Sequence, residues 1–269
     1  MDVLRYAAFT DDPAGGNPAG VVLDASGMSD EEMLAIAAEV GYSETAFVTR
    51  SNGGGDYDLR YFSPIADVPF CGHATIATAV AMPETGTLAF HTPSGLVAVE
   101  ANERSATLTS VEPRISELPD DDLGRLLAAL RWSRDELDDS LPPRVAYAGV
   151  YHPIVAAATR ERLRELDYDF DALAELMRAR EWTTIQLVWR EHDSLFHARD
   201  PGAGIGVVED PATGAAAAAL GGSLRELGLV EPPTSVTVIQ GEDMGRPGRL
   251  EVDIPASGGI AVTGEAVEI

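Results

Sequence analysis

The sequence predicts an α+β fold built twice over, each half a sheet wrapped around a central helix of small residues. Three observations predict it. Arg60-Tyr61-Phe62-Ser63-Pro64 leads through an irregular stretch into Gly72-His73-Ala74-Thr75-Ile76-Ala77-Thr78-Ala79, and residues 196–201 lead likewise into Asp210-Pro211-Ala212-Thr213-Gly214-Ala215-Ala216-Ala217. The step from proline to ionisable residue is nine positions in both copies, 64 to 73 and 201 to 210. Each helix is then followed by a hairpin pattern, 87–90 with 95–100 and 235–240 with 248–254. A duplicated domain whose reactive groups meet at the seam accounts for all three.

Residues 3–9 read as a strand, 11–17 as a turn-rich loop and 19–23 as a second strand. Ser29-Asp30-Glu31-Glu32 is a capping box, Met33, Leu34, Ile36, Ala37 and Val40 give the helix an apolar face, and Gly41 stops it. Residues 42–48 are strand-formers that carry one carboxylate, Glu44, near the start. A glycine-rich turn at 51–56 enters a strand at 57–62. The helix predicted from His73 to Met82 has alanine and threonine where a surface helix carries charge, so it is surrounded by protein.

Proline, serine and acids over 111–119 predict a linker. It divides the chain into residues 1–113 and 114–269, with the tail 258–269 free to pair back with the first domain. Residues 120–131 and 160–180 contain amphipathic helices, and 185–189 a buried strand. Residues 211–227 predict a second alanine-rich helix, with Asp210 as its cap, Pro211 at its first position and Gly228 as its stop. The alternation over 262–269 suits a closing strand.

Composition narrows the chemistry. The 269 residues, 45% hydrophobic, suffice for two medium domains. All nineteen basic residues are arginine. With no lysine there is no Schiff base, no amine-based aldolase and no Walker A loop. One cysteine, Cys71, excludes an internal disulfide, a Cys-x-x-Cys redox pair and a four-cysteine zinc site. The five histidines lack a metal-ligand spacing, so no metal is expected. A net charge of −25 disfavours nucleic acid and anionic membrane surfaces. The first residues do not read as a signal peptide, and no apolar run approaches the roughly 20 residues of a membrane span. A soluble cytoplasmic protein is the expectation.

The candidate catalytic residues are Glu44, His73 and Asp210. Glu44, on an apolar strand, gains proton affinity if it is buried; facing outward beside polar neighbours, it does not. His73 at a helix N-terminus is disfavoured as imidazolium by the macrodipole. Asp210 at a helix N-terminus stays ionised more readily, or is simply a helix cap. Two carboxyl groups in unlike settings suit proton shuttling. Amides after Gly72 and around Thr213-Gly214-Ala215 offer donors to a substrate carboxylate or enolate. Gly202-Ala203-Gly204-Ile205-Gly206 lacks the spacing and the helix of a dinucleotide fingerprint.

Five segments in this order, Gly16-Asn17-Pro18-Ala19, Ser43-Glu44-Thr45-Ala46-Phe47, Cys71-Gly72-His73-Ala74-Thr75, Glu209-Asp210-Pro211-Ala212-Thr213-Gly214 and Gln240-Gly241-Glu242-Asp243-Met244-Gly245-Arg246-Pro247, resemble the phenazine-biosynthesis PhzF-like family of the diaminopimelate-epimerase-like superfamily. The resemblance implies two pseudo-symmetric domains, each a curved sheet or barrel around a central helix, with the active site between them. It also implies a homodimer and a cofactor-free isomerase acting on a small carboxylate, of which a dihydro-hydroxyanthranilate is the characterised case. Glu44 then matches the principal acid/base group, with His73 and Asp210 assisting. Asn17, Cys71, Gly72, Thr213, Gly214 and Ala215 are the candidate substrate-binding positions. Ala215 and Ala217 stand where the family commonly has serine and histidine, which removes a substrate hydrogen bond. Cys71 resembles the first catalytic cysteine of the superfamily's epimerases, whose second has no counterpart near Asp210. An epimerase pairing Cys71 with a carboxyl base and a non-catalytic small-molecule binder remain the alternatives.

Overall fold

The computed structural model describes residues 2–269. The chain divides into two compact units, one formed by the chain up to Thr109 with Thr263–Ile269, the other by Ser110–Val262. The first contains β1 (Leu4–Ala8), β2 (Asn17–Val22), α1 (Asp30–Val40), β3 (Glu44–Gly53), β4 (Asp56–Phe62), β5 (Asp67–Val68), α2 (Gly72–Ala81), β6 (Gly86–Thr92), β7 (Gly95–Ala101) and β8 (Ser105–Thr109). The ladder β1–β2–β3–β4–β6–β7 alternates antiparallel, parallel, antiparallel, parallel, antiparallel. β8 joins β7, and the two-residue β5 hangs on β4.

Local chemistry explains the helices. Ser29 Oγ accepts from the Glu32 amide at 3.3 Å while Glu32 Oε2 accepts from the Ser29 amide at 2.8 Å, which opens α1, and Gly41 ends it in the left-handed region. α2 packs against β1, β2, β3, β7 and β8, and residues 73–79 of it are all buried. Its threonines enter this core because their hydroxyls donate back along the helix, Thr75 to the Cys71 carbonyl (2.6 Å) and Thr78 to the Ala74 carbonyl (2.7 Å). The turn expected over 51–56 shrinks to Gly54–Gly55. β3 runs on to Gly53 because Ser51 pairs with Tyr57 and Gly53 with Asp56, and Asn52 Nδ2 donates to the carboxylates of Asp56 and Asp58.

The second unit repeats the scheme. It contains β9 (Arg114–Glu117), α3 (Asp120–Leu130), β10 (Arg144–Tyr147), β11 (Tyr151–Ala156), α4 (Arg160–Arg164), α5 (Phe170–Arg180), β12 (Gln186–His192), β13 (Leu195–Gly202), β14 (Val207–Asp210), α6 (Gly214–Glu226), β15 (Thr234–Gln240) and β16 (Gly248–Ile254). Its ladder β10–β11–β12–β13–β15–β16 follows the same alternation as the first, beginning and ending antiparallel. Here β14 hangs on β13 as β5 hangs on β4, and the apolar α6 is wrapped by β9 to β12 and β16. The amphipathic α3 and α5 bury Leu126, Leu130, Leu173 and Met177 in a core shared with Val145, Val155 and Leu187 of the sheet.

Two expectations fail here. The stretch 111–119 is not wholly linker, because it contains β9, which pairs with β10 from Arg144–Glu117 to Tyr147–Arg114. Hydrogen bonding to a neighbour makes this polar segment a strand, which its composition does not announce. Asp210 is not the cap of α6 either: it ends β14, and Thr213 takes the N-cap position.

The last strand, β17 (Ala261–Glu268), pairs with β8 and lies antiparallel to β1, with Tyr6 opposite Glu268. It closes the first unit into a barrel of eight strands, β1–β2–β3–β4–β6–β7–β8–β17, around α2. No helix among the described residues is long and apolar enough to cross a membrane.

Candidate active site

In the first unit, strand starts and a helix mouth bring four of the candidate residues together. Asn17 opens β2, Glu44 opens β3, Cys71 is the N-cap of α2 and His73 its second residue. Gly16 makes the entry to Asn17 possible, since it has a φ of +56° and a Cβ there would run into the Ala8 carbonyl and the Thr10 side chain. Asn17 Nδ2 lies 3.1 Å from His73 Nδ1. With that amide nitrogen donating, the ring proton sits on Nε2, which faces Glu44 Oε2 and Ser43 Oγ, each at 3.4 Å. Cys71 Sγ is 3.5 Å from the same Glu44 oxygen and 3.4 Å from His73 Nδ1.

Glu44 is 19% exposed and His73 7%, so a carboxylate and an imidazole meet at the edge of the core with a face left to solvent. Behind them a buried relay fixes the mouth of α2. Thr75 Oγ1 donates to the Cys71 carbonyl at 2.6 Å, so the Tyr61 hydroxyl, 2.6 Å away, donates to Thr75. Burial pushes the Tyr61 hydroxyl far above its ordinary range, which keeps it a donor. Cys71 itself gives α2 no side-chain cap, and Gly72 has open space where a Cβ would stand. The first-turn amides of α2 therefore carry the partial positive charge of an uncapped helix start.

In the second unit Asp210, Thr213 and Gln240 interlock. Thr213 Oγ1 donates to Asp210 Oδ2 at 2.6 Å. The fully buried Gln240 accepts from the Thr213 amide at 3.1 Å and donates to the Asp210 carbonyl at 2.8 Å and to Thr213 Oγ1 at 2.9 Å. Gly241 follows with a φ of +81°, and a Cβ there would strike the carbonyls of Arg246 and Pro211. Arg199 on β13 grips Glu209 bidentately at 2.8 and 2.6 Å, which anchors the strand that presents Asp210. Gly214 and Ala215 form the first turn of α6, whereas Ala217 is fully buried.

Beneath Asp210 runs a chain of polar groups that patterning does not reveal. Asp200 lies opposite Asp210 in the β13–β14 ladder and is fully buried. Thr184 Oγ1 donates to Asp200 Oδ1 at 2.7 Å, so His152 Nδ1, 2.9 Å from the same hydroxyl, carries its ring proton and donates to Thr184. The Gln186 amide nitrogen, turned toward Asp200, reaches its two oxygens at 3.2 and 2.7 Å. Burial raises the Asp200 carboxyl well above its usual range, the Thr184 bond opposes this, and the charges of Asp210 and Glu209 reinforce it. Burial lowers His152 to about 4, and its Nε2 has no hydrogen-bond partner among the described residues.

The structure thus gathers Asn17, Glu44, Cys71 and His73 in one cluster and Asp210 with Thr213 in another. Ser43, Gln240 and Asp200 were missed as individual contributors. Ser43 and Gln240 lie inside family-like segments, but their contacts depend on tertiary placement. The sequence also showed no metal-ligand spacing, yet donor atoms of Glu44, Cys71 and His73 all lie within 4.8 Å of one another.

Comparison with known proteins agrees with this architecture. A protein-family model described as "PhzC-PhzF: Phenazine biosynthesis-like protein" matches residues 6–269. The "uncharacterized isomerase YfhB" of Bacillus subtilis is 31% identical over 99% of this chain and 96% of its own length. The trans-2,3-dihydro-3-hydroxyanthranilate isomerase of Pseudomonas fluorescens is 31% identical over 89% of this chain and 85% of its own. The crystal structure of a phenazine biosynthesis protein of the PhzF family from Bacillus anthracis superposes with a TM-score of 0.87 at 26% identity, covering 100% of this chain and 98% of that one. The chain belongs to the phenazine biosynthesis-like PhzC-PhzF family and is an enzyme of the isomerase class.

Proposed function

We propose that the protein is a cofactor-independent isomerase that moves a proton within a small carboxylated, unsaturated or amino-acid-like substrate. Glu44 is the principal acid/base group, with His73 and Asp210 assisting. The observation that carries the reading is the contact of Glu44 Oε2 with His73 Nε2 at 3.4 Å, at the mouth of an uncapped helix.

In this reading the Glu44 carboxylate accepts a proton from a substrate carbon and the C–H electron pair moves into the neighbouring unsaturation. The same carboxyl returns the proton to a second carbon, so atoms and electrons balance without an oxidant. His73 holds the carboxylate through its Nε2 proton, and the first-turn amides of α2 stabilise charge developing on the substrate. Asp210, fixed by Thr213, holds a proton or orients a polar group of the substrate. The absence of lysine from the chain supports the cofactor-free form of the reading. In this reading a substrate carboxylate takes donors at Asn17 and Gly72, since the amide and hydroxyl of Thr213 are already given to Gln240 and Asp210, and Ala215 supplies no hydroxyl. Without that hydroxyl the reading names the substrate by class and does not extend to the Pseudomonas compound itself. A homodimer belongs to the same reading, and sedimentation equilibrium measures it.

An epimerase pairing Cys71 with a carboxylate is the second reading, favoured by the 3.5 Å contact of Cys71 Sγ with Glu44 Oε2. Two-base epimerisation places its groups on opposite faces of one carbon, and groups in direct contact leave no room for that carbon.

The test is turnover of trans-2,3-dihydro-3-hydroxyanthranilate and a panel of small unsaturated carboxylates by wild type and Glu44→Gln. The reading requires that a substrate of wild type is lost to Glu44→Gln with the fold unchanged. Turnover within a few-fold of wild type would falsify the role of Glu44.

A further inference from the structure

We propose that Glu44, Cys71 and His73 form a binding site for a thiophilic divalent cation of the zinc type, and that such a cation competes with the substrate. The donor set is one carboxylate, one thiol and one imidazole. Oxygen, nitrogen and sulfur ligands of this kind select zinc over magnesium or calcium. The three separations are 3.5 Å for Glu44 Oε2 to Cys71 Sγ, 3.4 Å for Glu44 Oε2 to His73 Nε2 and 3.7 Å for Cys71 Sγ to His73 Nε2. Tetrahedral zinc, with a bond of about 2.3 Å to sulfur and about 2.0–2.1 Å to nitrogen or oxygen, needs edges of roughly 3.3–3.6 Å between its ligands. The three separations match those edges, but Cys71 Sγ lies beside both ring nitrogens of His73, 3.4 Å from Nδ1 and 3.7 Å from Nε2, so binding requires the imidazole to turn until its Nε2 lone pair points at the cation. Glu44, 19% exposed, leaves the fourth position toward solvent.

Charge and outer contacts fit as well. The carboxylate and a thiolate together neutralise the cation, and the thiol proton leaves to solvent on binding. When Nε2 ligates, the ring proton moves to Nδ1, and Asn17, 3.1 Å away, accepts it through its amide oxygen after a half-turn of the amide. Cation binding stands independently of the isomerase reading; only the inhibition rests on it, because the cation occupies the Glu44 oxygen that takes the substrate proton.

The experiment titrates chelator-treated full-length protein with cobalt(II) and follows the thiolate-to-cobalt charge-transfer band and the ligand-field bands. Zinc titration by calorimetry gives affinity. The expected result is a charge-transfer band with tetrahedral intensity that saturates at one equivalent, is displaced by zinc and is unaffected by magnesium. Cys71→Ser removes the band, and Asn17→Ala weakens zinc binding by about 10–100-fold, as loss of a partner behind a ligating histidine does elsewhere. Wild-type protein that shows no charge-transfer band at stoichiometric cobalt overturns the proposal without recourse to any variant. So does binding of several equivalents that Cys71→Ser leaves unchanged, since that is cation held by the acidic surface. A zinc-binding protein whose turnover is insensitive to zinc would overturn the competition, whereas failure of Glu44→Gln to lose activity would strike the isomerase reading and leave cation binding standing.

Discussion

Thr213 donates its hydroxyl to the carboxylate of Asp210 at 2.6 Å, and both residues are held by the buried amide of Gln240. Two residues offered by sequence as separate candidates are thereby one rigid unit, positioned by a third. Gln240→Met keeps the volume and removes three hydrogen bonds, which leaves the Thr213 amide and the Asp210 carbonyl without this partner. The expected cost is about 1–3 kcal/mol of stability. Thermal unfolding measures it, and kcat falls more than KM rises because the defect lies in orienting Asp210.

The relay from Tyr61 through Thr75 to the Cys71 carbonyl predicts an asymmetry between two conservative changes. Thr75→Val leaves the buried Tyr61 hydroxyl without its acceptor and loosens the start of α2, at a cost of about 1–3 kcal/mol. Thr75→Ser keeps the hydroxyl and loses only a methyl group. Denaturation of both variants and their activities test this, and equal behaviour of the two would refute the relay.

The buried pair His152 and Asp200 predicts opposing pH dependences. The folded value of His152 is about 4 against an ordinary 6.5, so unfolded chains bind more protons between these values. Its contribution is full above pH 6.5 and is lost as pH falls toward 4, amounting to about 3 kcal/mol over the window. Asp200 is shifted the other way, with a folded value well above 3.8. Its contribution is present below pH 3.8 and is lost as pH rises through the folded value. Asp200→Asn removes the second effect, so the variant gains stability more steeply than wild type between pH 4 and 6.5. Chemical denaturation across that range checks the slope.

Signals that act within a few residues were legible in the sequence. The Ser29–Glu32 capping box, the Gly41 stop and the small-residue α2 need no distant partner to be recognised. Duplication was legible because its spacing survives in the chain, and the two ladders do share one alternation of strand directions. Polar β9 was not, since only β10 makes it a strand. Asp210 before Pro211 looked like a helix cap because that dipeptide starts helices well; instead Gln240, 30 residues on, satisfies the Thr213 amide. Cys71 and His73 were visible as neighbours, but their convergence on Glu44 arises from the meeting of β3 with the start of α2.

The most direct test of the central claim, proton transfer at carbon by Glu44 without a bound cofactor, is turnover in heavy water by chelator-treated enzyme. The account predicts deuterium at a carbon of the product, a rate undiminished by chelator, and loss of both turnover and label in Glu44→Gln. Obligatory dependence on an added metal, flavin, nicotinamide or pyridoxal phosphate would contradict it, as would label incorporated by Glu44→Gln at the wild-type rate.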